Sequence, residues 1–508
     1  MKIPFSPLEG ALRAIRIYPD HCAVTDGDLS LTYREFGEQV SRLGELLRER
    51  GLQAGGHVLL IAPNRLDTLL AFHAVPLAGG VLVPLNPAFD DHALNTLSRH
   101  CDPQLALVDA AHVGRVQATL DALGVPVIPI CTGEALNAQW QHLAPQPLLA
   151  WPPGLDENAP ISINYTGGTT ADPKGVMLTH RNAFVNNVNM LYHLNLHPGS
   201  TYLHAIPLAH ANGWGCAWAV TAAGGTHVML RGDLRLAIQG GITHLCASPS
   251  LVGPLADAAA ASPLPRPVRL MLAGTSPQPG LISALQAQGF EVLHGYGLVE
   301  TAAILTITDL YEEKTLGPDA RIVARQGHPM LYGGEIAVLG EGDLPVPHDG
   351  HTPGEIVIRS NAVMKGYYKN PRATRRAIKN GWLHTGDLAV IHPDGRMDIL
   401  DREGDLLNIG GQPISSVQIE AVLYRHPSVR EAVVVAAQTG AGDLPVAFVT
   451  LHPGAQVQGR EILSFCSPHL PDYALPRRVQ LVPELPKTAS GKVLKHVLRE
   501  KANEWRER

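Results

Sequence analysis

Up to Asp401 the chain alternates short apolar runs with segments of helical periodicity, and this alternation is what most limits the fold. Runs suited to strands cover 57–61, 81–84, 104–108 and 127–130, then 161–164, 226–230, 243–247, 268–273 and 291–294. Most are near-continuous apolar stretches, the mark of strands covered on both faces. Helical patterns fall between them, for example at 32–50 and 181–193, and Thr32 with Glu35 makes a capping box for the first. Strands separated by helices of this length imply parallel sheets with helices on both faces, an α/β fold.

After Gly354 the texture turns β-rich, with strands expected at 355–360, 382–391 and 396–401. Beyond Arg402 a short α+β tail follows, with helices near 416–425 and 459–467 and strands near 431–437, 446–451 and 478–481. The chain therefore reads as a large N-terminal domain, 1–401, of parallel-rich sheets covered by helices plus a small β-rich subdomain. A small mobile α+β C-terminal domain, 402–508, completes it, with the boundary at 401–405.

Several function classes are disfavoured. Lys+Arg number 40 and Asp+Glu 46, a net charge of −6, which argues against nucleic acid as the main partner. A small phosphate-bearing ligand held by a local loop stays compatible with that charge. The six cysteines, Cys22, Cys101, Cys131, Cys216, Cys246 and Cys466, form no CxxC pair, so neither a zinc ribbon nor a disulfide framework is expected. That pattern suits a reducing, cytoplasmic compartment. The 24 histidines include no HExxH, and the first ten residues lack an apolar secretory core. The most apolar stretch, 203–230, is broken by His204, Pro207, His210, Asn212 and four glycines. It suits a buried pocket wall better than a stable membrane insertion.

The strongest chemical signal is Tyr165-Thr-Gly-Gly-Thr-Thr-Ala-Asp-Pro-Lys-Gly-Val176. Such a loop can turn backbone N–H groups and the hydroxyls of Thr166, Thr169 and Thr170 toward one anion, with Lys174 as a nearby cation. It is not a Walker A loop, because Gly175 follows the lysine where Ser or Thr should bind magnesium.

With this stretch the chain resembles the adenylate-forming superfamily of acyl- and aryl-CoA synthetases, peptide-synthetase adenylation domains and beetle luciferases. Further motifs follow in the family's order: Pro207-Leu-Ala-His210, Ala273-Gly-Thr-Ser276 and His294-Gly-Tyr-Gly-Leu-Val-Glu-Thr301. Then come Gly354-Glu-Ile-Val-Ile-Arg-Ser360, Trp382-Leu-His-Thr-Gly-Asp-Leu388, Asp401-Arg402 and Pro486-Lys-Thr-Ala-Ser-Gly-Lys492. The resemblance implies an ATP-dependent ligase that makes an acyl-AMP, releases pyrophosphate and passes the acyl group to a thiol. Its cofactors would be ATP, Mg2+ and CoA, or the phosphopantetheine of a carrier protein.

Site residues follow from the same resemblance, each with a chemical reason. Thr166, Gly168, Thr169, Thr170 and Lys174 would hold phosphate. Gly274, Thr275, Ser276, His294, Tyr296 and Gly297 would surround the nucleotide, Tyr296 offering an aromatic face to adenine. Asp387 can accept from both ribose hydroxyls, and Arg402 can donate to the same sugar. Glu300 supplies a hard oxygen for Mg2+. Lys492 is the cation that would neutralise charge gathering on the phosphoryl oxygens. His210 would stand at the carboxyl end of an acid pocket lined by Asn212, Trp214, Ala273, Gly274, Gly297 and Leu298. Arg402 and Gly404 would form a hinge, and Gly410 and Gly411 would approach the thiol tunnel.

Four positions depart from the family pattern. Gly167 replaces a usual Ser, Ala171 a usual Gly, and Val299 a Thr that normally bonds the α-phosphate. Gly404 stands at the pivot in place of Asp or Lys. The run Ala209-His-Ala-Asn-Gly-Trp-Gly215 is most like that of fatty acyl-CoA synthetases, so a medium or long apolar acid is expected. Two other readings stay open: loading of a separate acyl carrier protein, and a catalytically inactive nucleotide-binding homologue. A homodimer is likewise open.

Overall fold

The computed structural model describes residues 3–504 apart from 132, 134–135, 146–151, 153, 167–172, 258–263, 309–318, 410–411, 440–441 and 488–492. Among the described residues the chain forms two compact units, Met1–Ile336 with Ile358–Leu383, and Ala337–Val357 with His384–Arg508.

Two large sheets dominate the first unit. One has nine strands in the spatial order His328–Pro329, Ala303–Ile307, Phe290–Leu298, Val268–Leu272, His244–Ala247, Thr201–His204, Thr226–Met229, Cys22–Asp26 and Leu29–Thr32. The six from Phe290–Leu298 to Cys22–Asp26 are parallel, and antiparallel strands close both edges. The other has seven, in the order Gly366–Tyr367, Lys174–Thr179, Pro160–Thr166, Val81–Leu85, His57–Ile61, Pro103–Asp109 and Val127–Ile130. Its last five are parallel, and its first two run antiparallel.

The apolar runs are strands for the reason the sequence suggests. Val58, Leu59, Leu60 and Ile61 are all buried, so neither face of that strand meets water. Helix Tyr33–Glu49 begins at the expected box, in which Thr32 accepts from Glu35 N and Glu35 Oε2 accepts from Thr32 N at 2.8 Å. Its buried stripe of Tyr33, Phe36, Val40, Leu43 and Leu47 recurs at helical spacing and shares one apolar cluster with Leu69, Leu70 and Phe72. Thr179 and Asn182 make an equivalent box for helix His180–His193.

The β-rich segment is a five-stranded sheet, Glu335–Leu339, Gly354–Arg359, Trp382–Ile391 and Ile378–Lys379 in order, with Met397–Arg402 paired to Trp382–Ile391. After it the second unit holds a three-stranded sheet, Val429–Thr439, Gly442–Leu451 and Arg478–Leu481, with helices Ser416–Leu423, Gly459–Cys466 and Lys495–Glu504. This is the α/β fold expected, with its β-rich subdomain and α+β tail. Within the later unit Met397–Arg402 is held in the register Asp387↔Arg402. No helix among the described residues is long and apolar enough to cross a membrane.

Polar side chains buried in the first unit form a chain. His204 Nε2 lies 2.8 Å from His227 Nδ1, His227 Nε2 lies 2.8 Å from Thr221 Oγ1, and that hydroxyl lies 3.2 Å from His73 Nε2. Burial disfavours the imidazolium and holds His73 down to about 4 and His204 to about 3, and likewise His180 and His244 to about 4. A histidine whose folded pKa is depressed leaves the unfolded chain binding more protons below its ordinary value. Stability from these groups is complete above pH ~6.5 and is lost as pH falls toward ~4. Burial raises Asp67 and so opposes the trend, from the carboxylate range. The melting temperature, followed by differential scanning fluorimetry at fixed ionic strength, should be flat above pH 7 and fall steadily between pH 6.5 and 5. A constant or rising value over that interval would contradict this.

Candidate active site

In open α/β sheets, ligands meet the carboxyl ends of parallel strands, where the ladder leaves the loops free to carry chemistry. Three such ends hold the expected motifs in the first unit. Strand Pro160–Thr166 leads into the Gly/Thr loop and returns as Lys174–Thr179, with Thr166 opposite Lys174. Gly168, Thr169, Thr170, Gly167 and Ala171 lie outside the described residues. Strand Val268–Leu272 ends at buried Ala273, after which Gly274, Thr275 and Ser276 are exposed. Gly274 takes φ +93° with open space where a Cβ would project, so a ligand can approach the backbone closely. Gln326 donates to Ser276 Oγ at 2.9 Å.

Strand Phe290–Leu298 carries the third motif. Tyr296 pairs with Thr306, a register shift follows, and Gly297 pairs with Ile304. A Cβ on Gly297 would lie 1.7 Å from the Ala303 carbonyl oxygen, so the crossing there admits only glycine. The chain then turns through Val299–Thr301, where Thr301 Oγ1 accepts from Leu298 N at 2.8 Å and donates to Ala303 O at 2.9 Å. His294 is buried; its N–H meets Thr308 Oγ1 at 2.8 Å and its Nδ1 lies 3.1 Å from the Arg325 carbonyl oxygen.

This turn delivers Glu300 to Tyr367, whose hydroxyl donates to Glu300 Oε1 at 2.8 Å. The Lys174 Nζ lies 5.7 Å from the centroid of the same ring. A cation and a hard oxygen thus converge on one phenol at the base of the Gly/Thr hairpin. Among the described residues no cluster of three or more His, Cys, Asp or Glu could hold a metal by itself. Glu300 nevertheless fits Mg2+, which is bound through one or two carboxylates together with substrate phosphates.

The acid-side motif takes an unusual form. Ala211, Asn212, Gly213, Trp214 and Gly215 have φ of +46°, +57°, +58°, +56° and +83°, a left-handed turn directly after His210. For residues other than glycine this conformation costs about 1–2 kcal/mol each, and asparagine tolerates it best. Asn212 pins the turn. Its Oδ1 accepts from Asn164 Nδ2 at 3.1 Å, its Nδ2 donates to Ser162 Oγ at 2.9 Å, and Ser162 Oγ donates to Asn164 Oδ1 at 3.0 Å. Asn212 is therefore a strut to the strand that feeds the Gly/Thr loop. Trp214 and Ala273 lie in one buried apolar cluster with Met271, Ala303 and Ile304, against which Val299 packs. Nearby, Asn186 is buried with neither amide atom hydrogen-bonded, and its Oδ1 would stand 1.7 Å from a Cβ on Gly215.

In the second unit Asp387 and Arg402 sit opposite one another on paired strands, and Arg402 Nε donates to Asp387 Oδ1 at 3.1 Å. Asp387 is buried and Arg402 half-exposed, so the carboxylate is already oriented by its cation. The next residues are held by helix Lys495–Glu504. The Lys495 Nζ lies 3.7 Å from Asp401 and 3.4 Å from Glu420, while Arg499 pairs with Asp405 and donates to the Gly404 carbonyl at 3.3 Å. Asp401 also accepts from Ser416 N at 2.8 Å, at the start of helix Ser416–Leu423. Lys492, Gly410 and Gly411 lie outside the described residues.

Sequence reasoning assigned no role to Tyr367, Thr301 or the Ser162–Asn164 pair, although Thr301 closes the run His294–Thr301 and Ser162 and Asn164 fall in the strand run 161–164.

The chain resembles known proteins over nearly its whole length. Residues 12–368 match the family model of the AMP-binding enzyme, and 418–492 that of the AMP-binding enzyme C-terminal domain. The chain is 36% identical over 539 residues to an acetate–CoA ligase of Humulus lupulus, covering 98% of this chain and 95% of that one. It is 33% identical over 540 residues to a peroxisomal benzoate–CoA ligase of Arabidopsis thaliana, covering 98% and 93%. Its fold matches ATP-bound MatB from Rhodopseudomonas palustris with TM-score 0.87 and 24% identity, over 99% of this chain and 100% of that one.

Asn212→Ala is expected to destabilise the first unit by about 1–3 kcal/mol, since two buried polar groups lose their partner and alanine tolerates the left-handed turn poorly. Urea unfolding monitored by tryptophan fluorescence would show it, and an unchanged midpoint would mean that the triad does not hold the turn.

Proposed function

This chain belongs to the AMP-binding enzyme family, an acid–thiol ligase that uses ATP, Mg2+ and CoA, and on that premise we propose that it activates a compact apolar carboxylic acid. The observation that carries the nucleotide half of the reading is the convergence of Lys174 and Glu300 on Tyr367 beside the Gly/Thr hairpin. The acid half rests on the buried cluster containing Trp214.

In the first half-reaction a carboxylate oxygen of the acid attacks the α-phosphorus of ATP. The bond to the bridging oxygen breaks and pyrophosphate leaves. Negative charge gathers on the phosphoryl oxygens, so the protein's work is positioning and cationic stabilisation. When bound, Mg2+ supplies charge neutralisation to those oxygens. Lys174 holds the departing phosphates, Asp387 and Arg402 hold the ribose, and Tyr296 with the 274–276 backbone holds adenine. Lys492 is delivered to the α-phosphate by movement of the C-terminal domain, 402–508, about Arg402 and Gly404. In the second half-reaction the CoA sulfur attacks the acyl carbon and AMP leaves, with Gly410 and Gly411 lining the thiol's approach.

The size assignment takes the acid to lie beside Trp214, which is buried in the apolar cluster with Met271, Ala273, Ala303 and Ile304. The two plant relatives carry the names of small acids, which agrees in size. A medium or long fatty acid, the expectation from the His210 motif, is the alternative that the screen below decides. Loading of a carrier protein in place of CoA is a second outcome of the same screen. All six cysteines are free, which suits the reducing cytoplasm proposed from the sequence.

A panel of acids from acetate to palmitate, with benzoate, screened by pyrophosphate release with and without CoA, should peak at short or aryl acids and yield the acyl-CoA by mass. Release only with long chains overturns the size assignment, and no release with any acid overturns the reading as a whole. Lys492→Ala should slow adenylate formation by about 100-fold or more while leaving thiol transfer from preformed acyl-AMP nearly intact. Equal loss in both steps would remove Lys492 from its assigned role.

A further inference from the structure

We propose that Tyr367 is a positioning residue that orients the Glu300 carboxylate for Mg2+ and keeps it separate from Lys174 until the triphosphate arrives. The proposal rests on the reading of Glu300 as the Mg2+ ligand.

The placement of the phenol is determined by backbone on both sides. Strand Gly366–Tyr367 lies antiparallel to Lys174–Thr179 in the register Gly366↔Met177 and Tyr367↔Val176. Lys365 N donates to Met177 O at 2.9 Å and Tyr368 N to Gly175 O at 2.7 Å, so the segment is fastened to the exit strand of the Gly/Thr loop. Met364 N donates to Glu300 O at 2.8 Å, which fastens the same segment to the turn carrying the acid. Tyr367 N donates to Thr374 Oγ1 at 2.9 Å, and the side chain is buried.

The chemistry of the three side chains then divides cleanly. The hydroxyl occupies Glu300 Oε1 at 2.8 Å, which fixes the carboxylate while leaving Oε2 outside that bond. The ring gives Lys174 a weak electrostatic partner at 5.7 Å. Among the described residues each ion therefore contacts a neutral group rather than an opposite charge. An ion pair would neutralise both before the nucleotide bound, whereas a phenol can give way to phosphate on one side and steady a metal ligand on the other. An outer group of this kind typically alters metal affinity by about 10–100-fold.

Tyr367→Phe keeps the ring beside Lys174 and removes only the hydroxyl. Mn2+ binding to the enzyme–ATP complex, read by electron paramagnetic resonance without turnover, should weaken by about tenfold. ATP affinity in EDTA and the melting temperature should match the native chain. Glu300→Gln, run beside it, should weaken Mn2+ binding at least as much, and the double variant should bind no more weakly than Glu300→Gln alone, because the hydroxyl acts through that carboxylate. Native Mn2+ affinity in Tyr367→Phe, with Glu300→Gln impaired, overturns the proposal, whatever happens to the melting temperature. Native affinity in Glu300→Gln overturns instead the assignment of Glu300 as the ligand. Should Tyr367→Phe fail to fold, 3-fluorotyrosine at position 367 retains the hydroxyl. Its 19F resonance must then shift on Glu300→Gln, and an identical resonance in both chains overturns the proposal.

Discussion

A strand hydrogen-bonded along both edges and covered on both faces has no polar group to offer except where it ends. That constraint governs the first unit. Runs such as 58–61 and 270–272 are wholly buried and apolar, so their side chains do nothing but pack. At such ends residues 274–276 are exposed and Glu300 stands on a short turn. Each terminus is then shaped by a local device: a hairpin that sets Lys174 opposite Thr166, a glycine at positive φ, and a crossing at Gly297 too tight for any side chain. Polar groups that cannot reach an end have to satisfy one another, as the His204–His227–Thr221–His73 chain does.

Much of the fold was legible because these signals are local. A short apolar run between turn residues describes a covered strand whatever surrounds it, and 57–61 and 127–130 fall where the pattern puts them. Capping is equally local: Thr32 needs only Glu35, three residues on. Strands at the edges were harder to see. Cys22–Asp26 and Leu29–Thr32 form a hairpin across Gly27-Asp28, but the parallel pairing of Cys22–Asp26 with Thr226–Met229 joins segments far apart in the chain, and nothing in either announces it.

For the site the contrast is sharper. Asp387 and Arg402 stand together because the register of two strands places them opposite, and their separate motifs pointed to that pairing. Tyr367 was invisible as a partner of Glu300, since 67 residues separate them and only the sheet edge closes the gap. Asn212 looked like a pocket residue because it follows His210; its partners, Ser162 and Asn164, come from 50 and 48 residues earlier. The turn at 211–215 and the strand that leads into the Gly/Thr run are thereby tied together through a buried amide.

The left-handed turn at 211–215 has a consequence for heat. Three residues other than glycine are held there against their preferred hand, and what holds them is packing around Trp214 and one amide triad. Local opening needs only those contacts to loosen, while the sheets need the whole ladder to fail. Warming should therefore silence turnover at a temperature where far-ultraviolet circular dichroism still reports an intact protein, and cooling should restore it.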